Sequence, residues 1–124
     1  MSLSTSKTLR KLRTLQARRR TLLRLLLGSG ELAVGTVSWV HRKCGRSGCH
    51  CARGLGHRQL HFLFADAQGR RRCKLVRRAD EARLEQASER YRAFRDALRD
   101  LVAIQKRERA VLMELMRTRG LTYD

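Results

Sequence analysis

The sequence predicts an α+β fold: long N- and C-terminal helices forming an antiparallel coiled-coil stalk, with a small antiparallel three-stranded sheet and a cysteine-rich loop inserted between them. Three observations predict it. Leucines recur at helical spacing at both ends of the 124-residue chain, apolar residues alternate with a period of two in its middle, and three of the four cysteines fall between Cys44 and Cys51. The segments are 1–30, a basic N-terminal helix; 31–79, a small sheet and loop module; and 80–124, a long C-terminal helix, together one domain.

Taken in order, residues 6–27 have Ser6 as an N-cap, strong helix formers behind it, and Gly28-Ser29-Gly30 as a stop. From Leu32 to His41 the pattern turns valine-rich with period two (Val34, then Val37, Trp39 and His41 after an irregularity at Gly35), which predicts a half-buried strand. The cysteine segment follows. Leu60 to Ala65 is a short apolar run, Asp66-Ala67-Gln68-Gly69 has turn chemistry, and Arg70 to Val76 alternates again, so a hairpin is expected. Asp80 is the expected cap of a helix that runs to about Arg119 and ends at Gly120.

The helices carry matching apolar seams. The last helix reads Leu84, Ala87, Tyr91, Phe94, Leu98, Leu101, then polar Gln105 and Glu108, then Leu112 and Leu115; the first reads Leu9, Leu12, then Gln16 and Arg19, then Leu23 and Leu26. Antiparallel pairing sets Leu9 on Leu115, Leu12 on Leu112, Gln16 on Glu108 and Arg19 on Gln105, so the polar layers meet. Such a layer costs stability but fixes register, because slippage would bury Arg19 or Glu108 against leucine. Pairing within one chain and pairing across a homodimer are both compatible with this pattern.

Lysine and arginine number 29 against 11 acidic residues, a net +18. Residues 1–79 hold 19 basic and 2 acidic residues, whereas 80–124 hold 10 and 9. A uniformly basic composition could be solvated surface, but charge confined to one part of a chain builds a one-signed field that collects polyanions. Most of these cations are arginine, whose planar fork pairs with phosphate and stacks on bases. No stretch approaches the roughly 20 apolar residues of a membrane span. The basic residues spread through Lys7 to Arg24, without an Ala-x-Ala site, argue against a signal peptide. The expected location is cytoplasmic.

In a reducing compartment clustered cysteines indicate metal rather than disulfides. Cys44, Cys49, Cys51 and His57 stand at Cys-x4-Cys-x-Cys-x5-His, with glycines at 45, 48, 54 and 56 to let the loop turn tightly. Three thiolates and an imidazole suit tetrahedral Zn2+ in a structural role. His50, His61 and Cys73 are alternative fourth ligands. A loop of reduced thiols is the plain alternative. Thiol catalysis is disfavoured because no carboxylate lies nearby in sequence to orient a histidine, and four ligands leave zinc no open position. We therefore expect no enzyme.

The sequence resembles an uncharacterised prokaryotic family, the domain-of-unknown-function family 6788, often seen near mobile elements. The resemblance is carried by Gly35-Thr36-Val37, Cys44-Gly45, Cys49-His50-Cys51-Ala52-Arg53-Gly54, Phe62-Leu63-Phe64, Gly69-Arg70-Arg71 and Tyr91-Arg92-Ala93-Phe94. It spans roughly residues 34–115. In the family a His-Gly-Pro-Tyr stretch follows the cysteines; here that place reads His57-Arg58-Gln59-Leu60, without proline or tyrosine. The resemblance implies a metal-binding character and a mobile-element setting.

The expected function is that of a nucleic-acid-binding accessory protein whose metal loop and hairpin present Arg42, Lys43, Arg46, Arg53, Arg58, Arg70, Arg71, Arg72, Lys74, Arg77 and Arg78 to phosphates. With only six aromatic residues among Phe, Tyr and Trp, a base-stacking platform is poorly supplied, so duplex DNA is favoured over RNA or single strands. A competing reading is an interaction adaptor whose helices dock on a larger partner such as a recombinase or a ribonucleoprotein complex. A third is a small redox or metal-delivery enzyme working through Cys49 and Cys51.

Overall fold

The computed structural model describes residues 3–124, with side chains from Thr5 onward. It has two long helices and one three-stranded antiparallel sheet, in the order α1 (Leu3–Leu26), β1 (Thr36–Arg42), β2 (His57–Ala65), β3 (Arg71–Leu75) and α2 (Glu81–Arg119). Single 3-10 turns occupy His50–Arg53 and Arg78–Asp80. No helix among the described residues is long and apolar enough to cross a membrane.

The chain divides into two compact units, Gly30–Arg92 and a helical unit of Met1–Ser29 with Ala93–Asp124. The division falls inside α2 rather than at its start. In the first unit β2 is central, pairing with β1 from Thr36↔Leu63 to Arg42↔His57 and with β3 from His61↔Leu75 to Ala65↔Arg71. Strand alternation puts Val37, Trp39, Leu60 and Phe62 on one face. Leu60 there is fully buried. The Trp39 indole N–H donates to Glu85 Oε1 of α2 at 2.6 Å, so the first turns of α2 cover this face.

Three boundaries differ from expectation by three residues or more. α1 begins at Leu3, which puts Ser6 inside the helix rather than at its cap; no glycine or proline among residues 3–6 halts the helix there. β1 begins at Thr36 rather than Leu32, because the preceding segment lies against α2: the Ala33 N–H donates to the Ala87 carbonyl at 3.0 Å. Ala33, Ala87 and Ser88 are at most 8 % exposed, small side chains that let two backbones approach. A Cβ at Gly35 would run into the Leu63 carbonyl, so β1 enters the sheet through a residue without one. Finally, β2 starts three residues early, at His57, which makes that histidine a strand residue paired with Arg42.

The β2–β3 connection is the expected turn. Asp66 fastens it by accepting from the Gln68 N–H at 3.0 Å, the Arg70 N–H at 2.9 Å and Arg72 Nε at 2.9 Å. α2 follows the Arg78–Asp80 turn directly, and the Asp80 carboxylate faces Arg77 at 3.6 Å.

In the helical unit the covered positions of α1 include Leu12, Leu15, Arg19, Leu22 and Leu26, while Gln16 and Leu23 are exposed. On α2 they are Phe94, Ala97, Leu101, Ile104, Glu108, Val111 and Leu115; Ala97 and Ile104 are 3 % and 2 % exposed. Leu98, Gln105 and Leu112, expected in the seam, are exposed instead. Past Phe94 the covered position therefore moves one residue earlier in each heptad. The sequence repeat alone predicts one seam, but α2 buries side chains in two units. The polar positions meet differently as well: Arg19 faces Glu108 at 3.5 Å rather than Gln105, and Arg18 faces Asp100 at 3.8 Å.

Candidate metal centre

β1 ends at Arg42 and β2 starts at His57, paired with it, so the intervening segment must leave the sheet and return beside its own starting point. Gly56 makes the return possible. Its φ is +94°, and an added Cβ would stand 2.5 Å from the Arg42 carbonyl carbon. Within the loop, short backbone bonds (Cys49 N–H to Arg46 O, Ala52 N–H to Cys49 O, Gly54 N–H to Cys51 O) wind the chain about the cysteines. Lys43 Nζ donates to the Ala52 carbonyl at 3.1 Å, bracing the start of the loop against its 3-10 turn.

This winding gathers Cys44, Cys49, Cys51 and His57, whose ligand atoms all lie within 4.8 Å of one another. Cys44 Sγ and Cys51 Sγ are 3.4 Å apart, and Cys49 Sγ lies 3.5 Å from His57 Nε2. Ligands on a tetrahedral zinc with bonds of about 2.0–2.3 Å would stand about 3.3–3.8 Å apart, so the cluster has the spacing and donor chemistry for a metal ion. All four cysteines are free thiols. Cys51 is only 4 % exposed and its Sγ accepts the Cys44 N–H at 3.5 Å, an orientation that favours a thiolate.

The thiols are unequal. The backbone N–H of Arg46, followed by the Cys51 and His57 side chains, brings the Cys44 thiol down from 9.0 to about 6. The Cys44 N–H favours the Cys51 thiolate, but burial and the neighbouring Cys44 and Cys49 sulfurs outweigh it and push Cys51 up. The cluster thus holds one easily ionised thiol beside one that ionises reluctantly, as closely spaced anions without a cation should.

The other fourth-ligand candidates are elsewhere. His50 is exposed and stands edge-on to His57, with ring centroids 5.7 Å apart, outside the ligand group. Cys73 and His61 lie on β3 and β2, where Cys73 Sγ is 3.8 Å from His61 Nδ1, and His61 Nε2 is 3.3 Å from Gln59 Oε1.

The eleven basic residues expected to form one face fall into two groups. Antiparallel register brings Arg42, Lys43, Arg46, Arg53, Arg58, Arg77 and Arg78 to the end of the sheet that carries the cysteine loop, while Arg70, Arg71 and Arg72 sit by the β2–β3 turn at the other end. Lys74 lies between, on β3. Among the described residues only Arg72 and Arg77 of the eleven face a carboxylate, Asp66 and Asp80 respectively. A groove of about 370 Å³ at His57 is lined by Arg58, Arg77 and Arg78 together with the carboxylate of Glu81. Sequence reasoning missed that Arg58 is already engaged: its guanidinium lies 4.0 Å from the Trp39 ring centre. Trp39 and Arg58 become neighbours only through the β1–β2 register, which sequence spacing does not reveal.

No protein-family model, no curated protein and no solved structure matches the chain.

Proposed function

We propose that this is a nucleic-acid-binding protein that engages the phosphates of duplex DNA through the basic end of its sheet, with Zn2+ in the cysteine loop as a structural cofactor. The observation that supports the reading is the placement of seven cations at the end of the sheet that carries the cysteine loop, only one of them facing a carboxylate. Cys44, Cys49, Cys51 and His57 would hold the ion. It would supply fold stability rather than chemistry, because four protein ligands complete a tetrahedron. The loop carries Lys43, Arg46 and Arg53, so holding the loop also holds those side chains toward a ligand. Arg58, stacked on Trp39, is preorganised, whereas Arg77 and Arg78 border the adjacent groove.

The helical unit has a separate part in this proposal. The Arg19–Glu108 pair at 3.5 Å, flanked by leucine and isoleucine positions, supports an antiparallel coiled-coil pairing with a single ionic layer. Free thiols fit the reducing cytoplasm, and the family resemblance adds a mobile-element setting to the same proposal.

The test is fluorescence anisotropy of zinc-loaded, nuclease-treated protein with labelled duplex DNA, single-stranded DNA and RNA across a salt series. The affinity for duplex DNA should exceed that for the others and fall with salt at about −0.9 in log–log slope per phosphate neutralised. Replacing Arg77 and Arg78 by glutamine should flatten that slope by about 2. Absence of binding at low salt would reject the reading.

A further inference from the structure

α2 has a second apolar stripe that the described residues of the helical unit leave about half exposed. Leu98, Val102, Leu112 and Met116 are 44–57 % exposed. With Gln105 and Arg109 between them they follow steps of 4, 3, 4, 3 and 4, the spacing of a helix–helix seam. Scattered surface leucines need no explanation, but a row at seam spacing along about 27 Å of helix is a face that the described residues leave open. Part of it forms a groove of about 350 Å³ against Arg19 of α1.

Charge says what would cover it. At 3.6 residues per turn Arg95, Arg99, Lys106 and Arg117 all fall about 60–100° round from the stripe, on the side away from the covered positions. The carboxylates Asp96 and Glu114 lie on the back of the helix, where they meet Arg99 and Arg117 in exposed pairs at 2.7 and 2.8 Å. Such pairs hold surface cations weakly. On the other side stands α1, which has no acidic residue. The one carboxylate lining the groove, Glu108, faces Arg19.

We propose that this stripe docks an amphipathic helix of another protein, with apolar residues at seam spacing and acidic residues on both flanks. A second copy of this chain is the wrong occupant. The helical unit holds 15 basic and 5 acidic residues, and self-pairing along the stripe would bring like charges together. A nucleic acid is also the wrong occupant, since a phosphate backbone has nothing apolar to offer the leucines. The inference is independent of the nucleic-acid reading, which concerns the other unit.

The probe is a synthetic four-heptad peptide with leucine at the seam and glutamate on both flanks, titrated against the zinc-loaded full chain in about 0.3 M salt to suppress diffuse attraction. It should bind at least about tenfold tighter than a scrambled peptide of the same composition or one with lysine flanks. Leu98→Glu and Leu112→Glu should reduce it to the scrambled level while leaving the far-ultraviolet spectrum unchanged, because both side chains are already about half exposed. Equal binding of the scrambled peptide, or binding indifferent to both substitutions, would overturn the proposal. So would a dimer in sedimentation that Leu112→Glu dissociates, or loss of duplex DNA binding on that substitution.

Discussion

Asp66 and Glu31 show how single carboxylates hold a very basic chain in shape. Arg72, then the Arg70 and Gln68 N–H groups, hold the Asp66 carboxyl below its ordinary value. Glu31 is lowered first by its hydrogen bond from Arg83, which grips both carboxylate oxygens, at 2.5 and 2.9 Å. A carboxylate lowered on folding stabilises the fold above its unfolded value, near pH 4, and loses that contribution as the pH falls through the lowered value. The melting temperature of metal-free protein should therefore drop as pH falls from about 5 to 3, and Asp66→Asn with Glu31→Gln should melt lower at pH 7 but lose less on acidification. An undiminished acid limb in the double variant would count against these contacts. At the cysteine cluster, alkylation of Cys44 in metal-free protein should reach half its maximal rate near pH 6, and added zinc should protect it, as peptide mass spectrometry can follow.

α2 is an element with two burial patterns, and its substitutions should separate them. Ile104, 2 % exposed, should cost about 2–5 kcal/mol on replacement by alanine. Leu98, 46 % exposed, should cost about 1 kcal/mol or less, although both are large apolar residues on the same helix. Urea unfolding of both variants decides this, and equal costs would reject the one-residue displacement of the covered stripe. The helices, the hairpin and the long run of α2 were legible because propensity, alternation and turn chemistry are local. Which side of α2 is covered was not, since Leu98 and Ala97 satisfy a heptad equally well until a neighbouring element chooses between them. The early start of β2 was hidden for a similar reason: His57 and Arg58 gain strand conformation from pairing with β1, not from their own preference.

For the whole molecule the decisive experiment is chelation of the proposed zinc. It should disorder the loop from Cys44 to His57 and weaken the proposed binding of nucleic acid, while α1 and α2 persist in circular dichroism, because the helices draw their burial from leucine, alanine and isoleucine positions rather than from the cysteines. Complete unfolding, or no change at all, would contradict a local structural metal. By itself the sequence determined the α+β composition, the excess of positive charge before residue 80 and the set of soft ligands, because these follow from residue type and short-range spacing. Only the tertiary structure decided that His57 rather than His50, His61 or Cys73 completes the cluster, that the cations divide between two ends of the sheet, and that Arg19 meets Glu108. Each of those depends on strand register or helix facing, where a shift of one residue changes the partner, and long-range contact rather than local propensity sets that shift.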